Sequence, residues 1–247
     1  MTAAPAALEV KAVSRNFGGV AALAGVSFAV REGEVMGLIG PNGAGKSTLF
    51  EIVSGNLAPS GGRVFYFGTD CTAQPSHVRR RAGMCRTFQK VRLFESMTVA
   101  QNITVAASQC LRTGRSAREE VGAILAQLRL ETLAGRRPAE LTLADRKRVE
   151  IGRAMAGHCR LLMLDESMSG LTHDEAEHLI GEVLVLNRTR GITVIVVEHV
   201  LSVLAAMVQR LVVLNNGRVI ADGTPREVAH DPVVIEAYLG KKGSALL

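Results

Sequence analysis

The chain has no tryptophan, two tyrosines and seven phenylalanines among its 247 residues, so platforms on which nucleobases could stack in series are poorly supplied. Its densest basic segment, Arg79-Arg80-Arg81 with Arg86, has no interleaved aromatic residue. Nucleic acid is therefore not an expected partner, and the run reads as a solvated face or a membrane-proximal surface. No apolar run reaches the roughly 18 residues that a bilayer span requires. The stretch from Met1 to Leu8 lacks a basic flank and an apolar centre of its own, so no export signal is expected. Four cysteines, Cys71, Cys85, Cys110 and Cys159, lie far apart without a CxxC pair or a zinc-compatible histidine spacing, which reads as reduced cytosolic thiols. Internal repeats, low-complexity linkers and a second domain are also missing.

What is present is a sizeable core, with 47% hydrophobic residues, and a net charge of +6. The charge fits solubility or an anionic surface and decides nothing alone. Apolar runs bounded by turn residues predict strands near Leu8 to Val13, Val26 to Val30, Val35 to Ile39 and Arg63 to Phe67. Two continuous runs, Leu161 to Leu164 and Thr193 to Val197, read as central strands of a parallel sheet buried on both faces. Between the halves, from about Thr98 to Gly157, the pattern is helical: Thr98 and Gln101 have capping-box spacing, and Arg118 to Leu130 carries apolar residues at helical intervals. Thr172 and Glu175 repeat the box ahead of an amphipathic stretch through Leu186. Val213 to Ile220, centred on Asn216-Gly217, is a hairpin signal.

The chemistry starts at Gly40-Pro41-Asn42-Gly43-Ala44-Gly45-Lys46-Ser47-Thr48, directly after the run ending at Ile39. Glycines at 40, 43 and 45 let the backbone fold into a concave turn whose N–H groups face inward, where a side chain would block a phosphate oxygen. Lys46 can reach the β- and γ-phosphates, Ser47 can offer its hydroxyl to Mg²⁺, and a helix starting here adds the positive end of its dipole. This is a P-loop, and it predicts triphosphate binding.

Its companions narrow the chemistry. The strand ending in Asp165-Glu166 puts one carboxylate where it can hold Mg²⁺ through water and a second where it can orient the attacking water. His199 follows the other buried strand, placed to hydrogen-bond a γ-phosphate. Gln89 can offer its amide oxygen to the metal and its NH₂ to water, and Phe17, before Gly18-Gly19, can stack on an adenine ring. Leu141-Thr142-Leu143-Ala144-Asp145 precedes a basic helix from Arg146 to Met155, just ahead of Asp165.

In this order the whole chain resembles the ATP-binding subunit of an ABC transporter. The resemblance implies an α/β fold of P-loop NTPase type: a RecA-like, mostly parallel core with an antiparallel β subdomain. A helical subdomain, about 92–157, is inserted between the Walker A and Walker B halves of a single 1–247 nucleotide-binding domain. It makes Gln89 the Q-loop residue, Asp165 and Glu166 the Walker B pair, Ser169 to Thr172 the D-loop and His199 the switch histidine. Leu141 to Asp145 becomes the signature, whose Thr142 and Ala144 would meet the nucleotide on a partner subunit. Arg86 to Phe94 with Met97 to Val99, Ile220 to Pro225, and Val234 to Gly240 are similar to the LivG-type subunits of branched-chain amino acid importers.

That resemblance implies ATP and Mg²⁺ as cofactors and an ATPase coupled to transport. It also implies permease subunits and a second ATP-binding subunit as partners, with a solute-binding protein indirectly, on the cytoplasmic face of the inner membrane. Departures concentrate in the signature: Ala144 puts a Cβ where the family has glycine, and Asp145 adds a negative charge. Ser167 stands where the family usually has proline, and Thr172 where the D-loop has Asp or Asn. Two alternatives follow, a soluble ABC ATPase acting on nucleic acid and a weakly hydrolysing partner in a heterodimeric transporter.

Overall fold

The structure is a computed structural model and describes residues 6–88, 91–110, 116–198, 204 and 207–239. Two sheets form the frame. The first is antiparallel, in the order β2-β1-β4-β5, from β1 (Ala6–Phe17), β2 (Val20–Arg31), β4 (Gly61–Tyr66) and β5 (Thr69–Asp70). The second has six strands in the order β10-β9-β3-β8-β7-β6, from β3 (Val35–Ile39), β6 (Met84–Arg86), β7 (Leu161–Asp165), β8 (Thr193–Val197), β9 (Arg210–Asn215) and β10 (Arg218–Gly223). All its pairings are parallel except β9 with β10.

Successive side chains on a strand point to opposite faces, and the central strands divide accordingly between two cores. Met36, Leu38, Leu161, Met163, Ile195, Val197, Val212 and Leu214 join the antiparallel sheet and helix α1 (Lys46–Val53). Val35, Ile39, Leu162, Leu164, Val194, Val196, Leu211 and Val213 join the helices on the other face. Burial on both faces is why these runs read as unbroken apolar stretches.

Strands β1 and β2 run further than their apolar cores predict. Their pairing shifts register near Ala12 and Ser14, and side chains there fill the ladder: Ser27 Oγ accepts the Ala12 N–H at 2.8 Å and Ser14 Oγ the Gly25 N–H at 2.9 Å. Strand β6 carries no apolar run and was not anticipated; it forms because its backbone pairs with β7 at the sheet edge.

Between β6 and β7 lie α3 (Val99–Cys110), α4 (Ala117–Gln127) and α5 (Leu143–Met155), packed on one another through Ile103, Ile124, Leu128 and Ile151. Both predicted capping boxes are present. Thr98 and Gln101 exchange hydrogen bonds at the start of α3, and Thr172 and Glu175 do so at α6 (His173–Arg190). The hairpin also forms as expected, with Asn216 and Gly217 both at positive φ, 48° and 72°, which suits a two-residue turn. After β10 come α7 (Pro225–Ala229) and α8 (Pro232–Leu239). No helix among the described residues is long and apolar enough to cross a membrane.

The basic run is not the solvated face that its composition suggests. Arg79, in α2 (Ser76–Arg81), is 1% exposed. Its guanidinium donates to the carbonyls of Ile52, Val53, Thr72 and Gln74, so it closes the C-terminal end of α1, where carbonyls lack helical partners. Arg80 donates to Cys85 Sγ and the Ala156 carbonyl, and only Arg81 stays exposed.

Candidate functional site

The P-loop joins β3 to α1 and is shaped by backbone close contacts. A Cβ on Gly40 would lie 2.1 Å from the Leu214 carbonyl oxygen, and one on Gly45 2.6 Å from that of Ala22. Gly43 and Gly45 sit at φ 81° and 104°, where only glycine is unstrained. The β9–β10 turn fastens the loop: Gly217 N–H donates to Ala44 O at 3.0 Å, and Gly217 O accepts from Ala24 N–H at 2.8 Å. Whereas α4, α5, α6 and α7 each cap their first turn with a Ser or Thr hydroxyl, α1 has no side-chain cap and no acidic residue in its first turn. Its leading N–H groups therefore face the concavity without a protein acceptor from a cap, which suits an anion.

Lys46 is buried, and its ammonium donates to Gly40 O at 2.6 Å and Pro41 O at 3.0 Å. Burial lowers its pKa, while the nearby Glu166 and Asp165 carboxylates favour the charged form. Asp165 ends β7 and is itself buried. Burial raises its pKa, Arg86 opposes that, and Glu166 and Glu51 reinforce it. Arg86 links the group: its Nη1 reaches Glu51 Oε1 at 2.7 Å and Ser54 Oγ at 3.0 Å, and its Nη2 lies 3.5 Å from Asp165 Oδ2. Glu166 follows at φ 50°, its N–H donating to Val197 O at 2.9 Å, so β8 holds the turn that aims this side chain.

The exits of β6, β7 and β8 are tied together by groups that the sequence did not single out. Thr87, 1% exposed, accepts the Asp165 N–H at 3.2 Å and shares a 3.0 Å hydrogen bond with Ser167 Oγ. A proline at 167 could not make that bond. Glu198, at the end of β8, accepts the Met168 N–H at 2.7 Å. For Glu198 the sequence signal was faint, a polar residue directly after a buried strand; for Thr87, which follows a strand with no apolar run, there was none.

At the start of α5, Thr142 is the N-cap and accepts the Asp145 N–H at 3.1 Å. Its hydroxyl donates to Asp145 Oδ2 at 2.7 Å, and Arg148 Nη1 holds Asp145 Oδ1 at 2.9 Å while its Nε reaches Glu182 at 3.0 Å. The charge of Asp145 is thus not free, and it is placed where a helix N-terminus favours an anion. Ala144 is buried. The exposed Leu143 touches the turn at Gly170, whose added Cβ would lie 3.2 Å from Leu143 Cδ2. Thr172 is committed as the N-cap of α6. Ser47 is exposed and Thr48 half-buried in the first turn of α1, and Asn42 is exposed on the loop.

Phe17, at the end of β1, is 46% exposed with the Arg15 guanidinium 4.7 Å from its ring centre; it is not a packed core residue. Gln89 and His199 lie outside the described residues. No cluster of His, Cys, Asp and Glu among the described residues forms a metal cage; of the residues expected to hold Mg²⁺, Ser47 and Asp165 are described and Gln89 is not.

A P-loop between a buried strand and a helix, with paired carboxylates on a nearby strand of the same parallel sheet, defines a P-loop nucleoside triphosphatase. Comparison with known proteins narrows the class. Residues 23–169 match the family model described as ABC transporter, and residues 218–243 match that described as branched-chain amino acid ATP-binding cassette transporter. The chain belongs to the ABC transporter ATP-binding family, the ATPases of those transporters.

The chain is 36% identical to the high-affinity branched-chain amino acid transport ATP-binding protein BraF of Pseudomonas aeruginosa, over 95% of this chain and 98% of that protein. It is 34% identical to LivG of Escherichia coli over the same shares. Among solved structures, a nucleotide-free ATP-binding cassette from an ABC transporter superposes with a TM-score of 0.86 at 32% identity, covering 96% of this chain and all of that one. A dimeric cassette in a post-hydrolysis state, bound to ADP and Pi, superposes at 0.78 with 26% identity, over 89% of this chain and 99% of that one.

Proposed function

We propose that this chain is the ATP-hydrolysing subunit of an importer for branched-chain amino acids or closely related small solutes. It would sit on the cytoplasmic face of the inner membrane against permease subunits and pair with a second ATP-binding subunit. The observation that carries this reading is the match of 218–243 to the branched-chain cassette model, joined to full-length similarity to BraF and LivG.

In this reading the phosphates lie along the backbone of Gly40 to Thr48, with Gly43, Ala44, Gly45, Lys46, Ser47 and Thr48 nearest, Asn42 at the rim and Phe17 against the base. Lys46 exchanges its two carbonyl acceptors for phosphate oxygens. The Ser47 hydroxyl, the Asp165 carboxylate and the Gln89 amide suit Mg²⁺, a hard cation that takes oxygen donors. When bound, Mg²⁺ neutralises charge on the β- and γ-phosphate oxygens. Glu166 orients the attacking water, and His199 contacts the γ-phosphate. Thr142 and Ala144 face the nucleotide held by the partner, so that ATP favours the closed dimer through contacts made only there.

A second reading, a heterodimer with unequal sites, is favoured by one observation: the Thr142 hydroxyl is committed to the Asp145 carboxylate. Nucleic acid is a poorer partner than composition alone implied, since the basic run is spent on internal contacts.

Gently solubilised membranes test the assignment. Two polytopic permease chains should co-purify, and the assembly in liposomes should take up labelled leucine with ATP hydrolysis. Purification of the chain alone, or with nucleic acid through salt-sensitive contacts, would overturn it. Hydrolysis that appears only when a second cassette subunit is added would select the heterodimer.

A further inference from the structure

Helix α1 ends with an acid that its own backbone does not favour. Glu51 lies in the last turn, where the helix carries no basic residue and where the dipole prefers a cation. What offsets it is Arg86, whose Nη1 donates to Glu51 Oε1 at 2.7 Å and to Ser54 Oγ at 3.0 Å. Ser54 is the buried C-cap of the same helix. The P-loop helix therefore holds the guanidinium at its far end, through one carboxylate and one hydroxyl. The guanidinium also lies over the Phe88 ring, 5.0 Å from the ring centre.

The other edge of Arg86 faces Asp165. Its Nη2 is 3.5 Å from Asp165 Oδ2, longer than the roughly 2.7–3.2 Å of a formed N–H···O bond. An unrestrained guanidinium closes on a carboxylate with two parallel bonds, and with side chains only 12% and 8% exposed such a pair would be tight. It does not close because the short bonds of Arg86 run to Glu51 and Ser54, while its Nε donates to the Thr87 carbonyl at 3.3 Å. The Asp165 main chain is fixed separately, its N–H on Thr87 Oγ1 at 3.2 Å. The carboxylate thus keeps its place without being captured by an arginine.

We propose that Glu51 is a positioning residue for the magnesium–nucleotide complex: it holds Arg86 back, so that the Asp165 carboxylate, oriented but not captured, is left to a cation. It acts through Arg86. The inference rests on the reading of Asp165 as a holder of Mg²⁺ and is independent of the solute and of the permease subunits.

Glu51→Gln removes the charge and keeps the length of a partly exposed side chain. Binding of a non-hydrolysable ATP analogue to the full-length chain is measured in EDTA and across a magnesium chloride titration. In EDTA the variant should match the wild type. The magnesium concentration that half-completes the gain in affinity should rise about tenfold, the equivalent of one charge-assisted bond newly made between Arg86 and Asp165. In an Arg86→Gln background the same change at Glu51 should have no effect, because the competitor for Asp165 is gone. A wild-type magnesium requirement in Glu51→Gln would overturn the proposal. So would an equal weakening in the Arg86→Gln background, which would make Glu51 a direct attractor of the cation. Weaker binding already in EDTA would also overturn it, by making Glu51 a support of the P-loop itself. If magnesium left the wild-type affinity unchanged, the reading of Asp165 would fail and take this inference with it, whereas the three results before that strike the inference alone.

Discussion

Glu150 offers a stability experiment in which sign and size follow from the structure. It lies in α5, 7% exposed, with its Oε1 accepting the Phe88 N–H at 3.2 Å. It lines a cavity of about 580 Å³ with Arg80, Arg86, Arg92 and Arg153. Burial raises its pKa to about 7, against opposition from the Phe88 N–H, Lys147 and Arg153. A carboxyl whose folded pKa lies above its unfolded value stabilises the fold fully below the unfolded pKa, and that contribution is lost as pH rises through the folded one. Between the ordinary glutamate value and about 7, the folded chain holds a proton that the unfolded chain has released. Each pH unit of that window is worth about 1.4 kcal/mol, so the loss across it is about 3 kcal/mol.

Glu150→Gln keeps the acceptor for Phe88 and removes the titration. Urea unfolding of both proteins from pH 4.5 to 8 should therefore show the variant gaining on the wild type by about 3 kcal/mol, with most of the gain complete near pH 7. A stability difference independent of pH would refute the reasoning, and a difference that shrinks as pH rises would reverse its sign.

Three further outcomes are expected. Glu166→Gln should bind ATP with unaltered affinity while turnover falls by orders of magnitude; near-normal hydrolysis would remove Glu166 from its role. Arg79→Met should destabilise by about 3 kcal/mol or more, because four carbonyls lose one buried donor, read as a large drop in urea midpoint. Asp145→Ala, which removes both the acceptor of the Thr142 hydroxyl and an ion-pair partner of Arg148, should lower stability by about 1 kcal/mol. If the Thr142 hydroxyl is thereby freed for a facing nucleotide, the same variant should raise, not lower, turnover in the assembled dimer.

Much of the site could be read in the chain because its parts are local. The P-loop, both capping boxes and the Asn216-Gly217 turn are each encoded within ten residues, and the strands ending at Ile39, Asp165 and Val197 announced themselves by burial on both faces. The parts that could not be read are those made by distant partners. Strand β6 exists through β7, and Arg79 is buried because the end of α1 meets it 26 residues away in sequence. Ser167 departs from the family pattern, and the reason shows only where its hydroxyl meets Thr87. A hydroxyl that bonds across 80 positions leaves no periodicity to detect.

The hairpin tip at Asn216-Gly217 carries one more consequence. A two-residue β turn at the edge of a sheet is ordinarily where a chain best tolerates a tag, a nick or a new terminus. Here the tip is the fastening of the P-loop, since Gly217 bonds both Ala44 and Ala24 and a Cβ on it would lie 2.7 Å from the Ala22 oxygen. Anyone splicing a reporter into this protein should leave that turn alone, for the part of the surface that looks most disposable is a rivet.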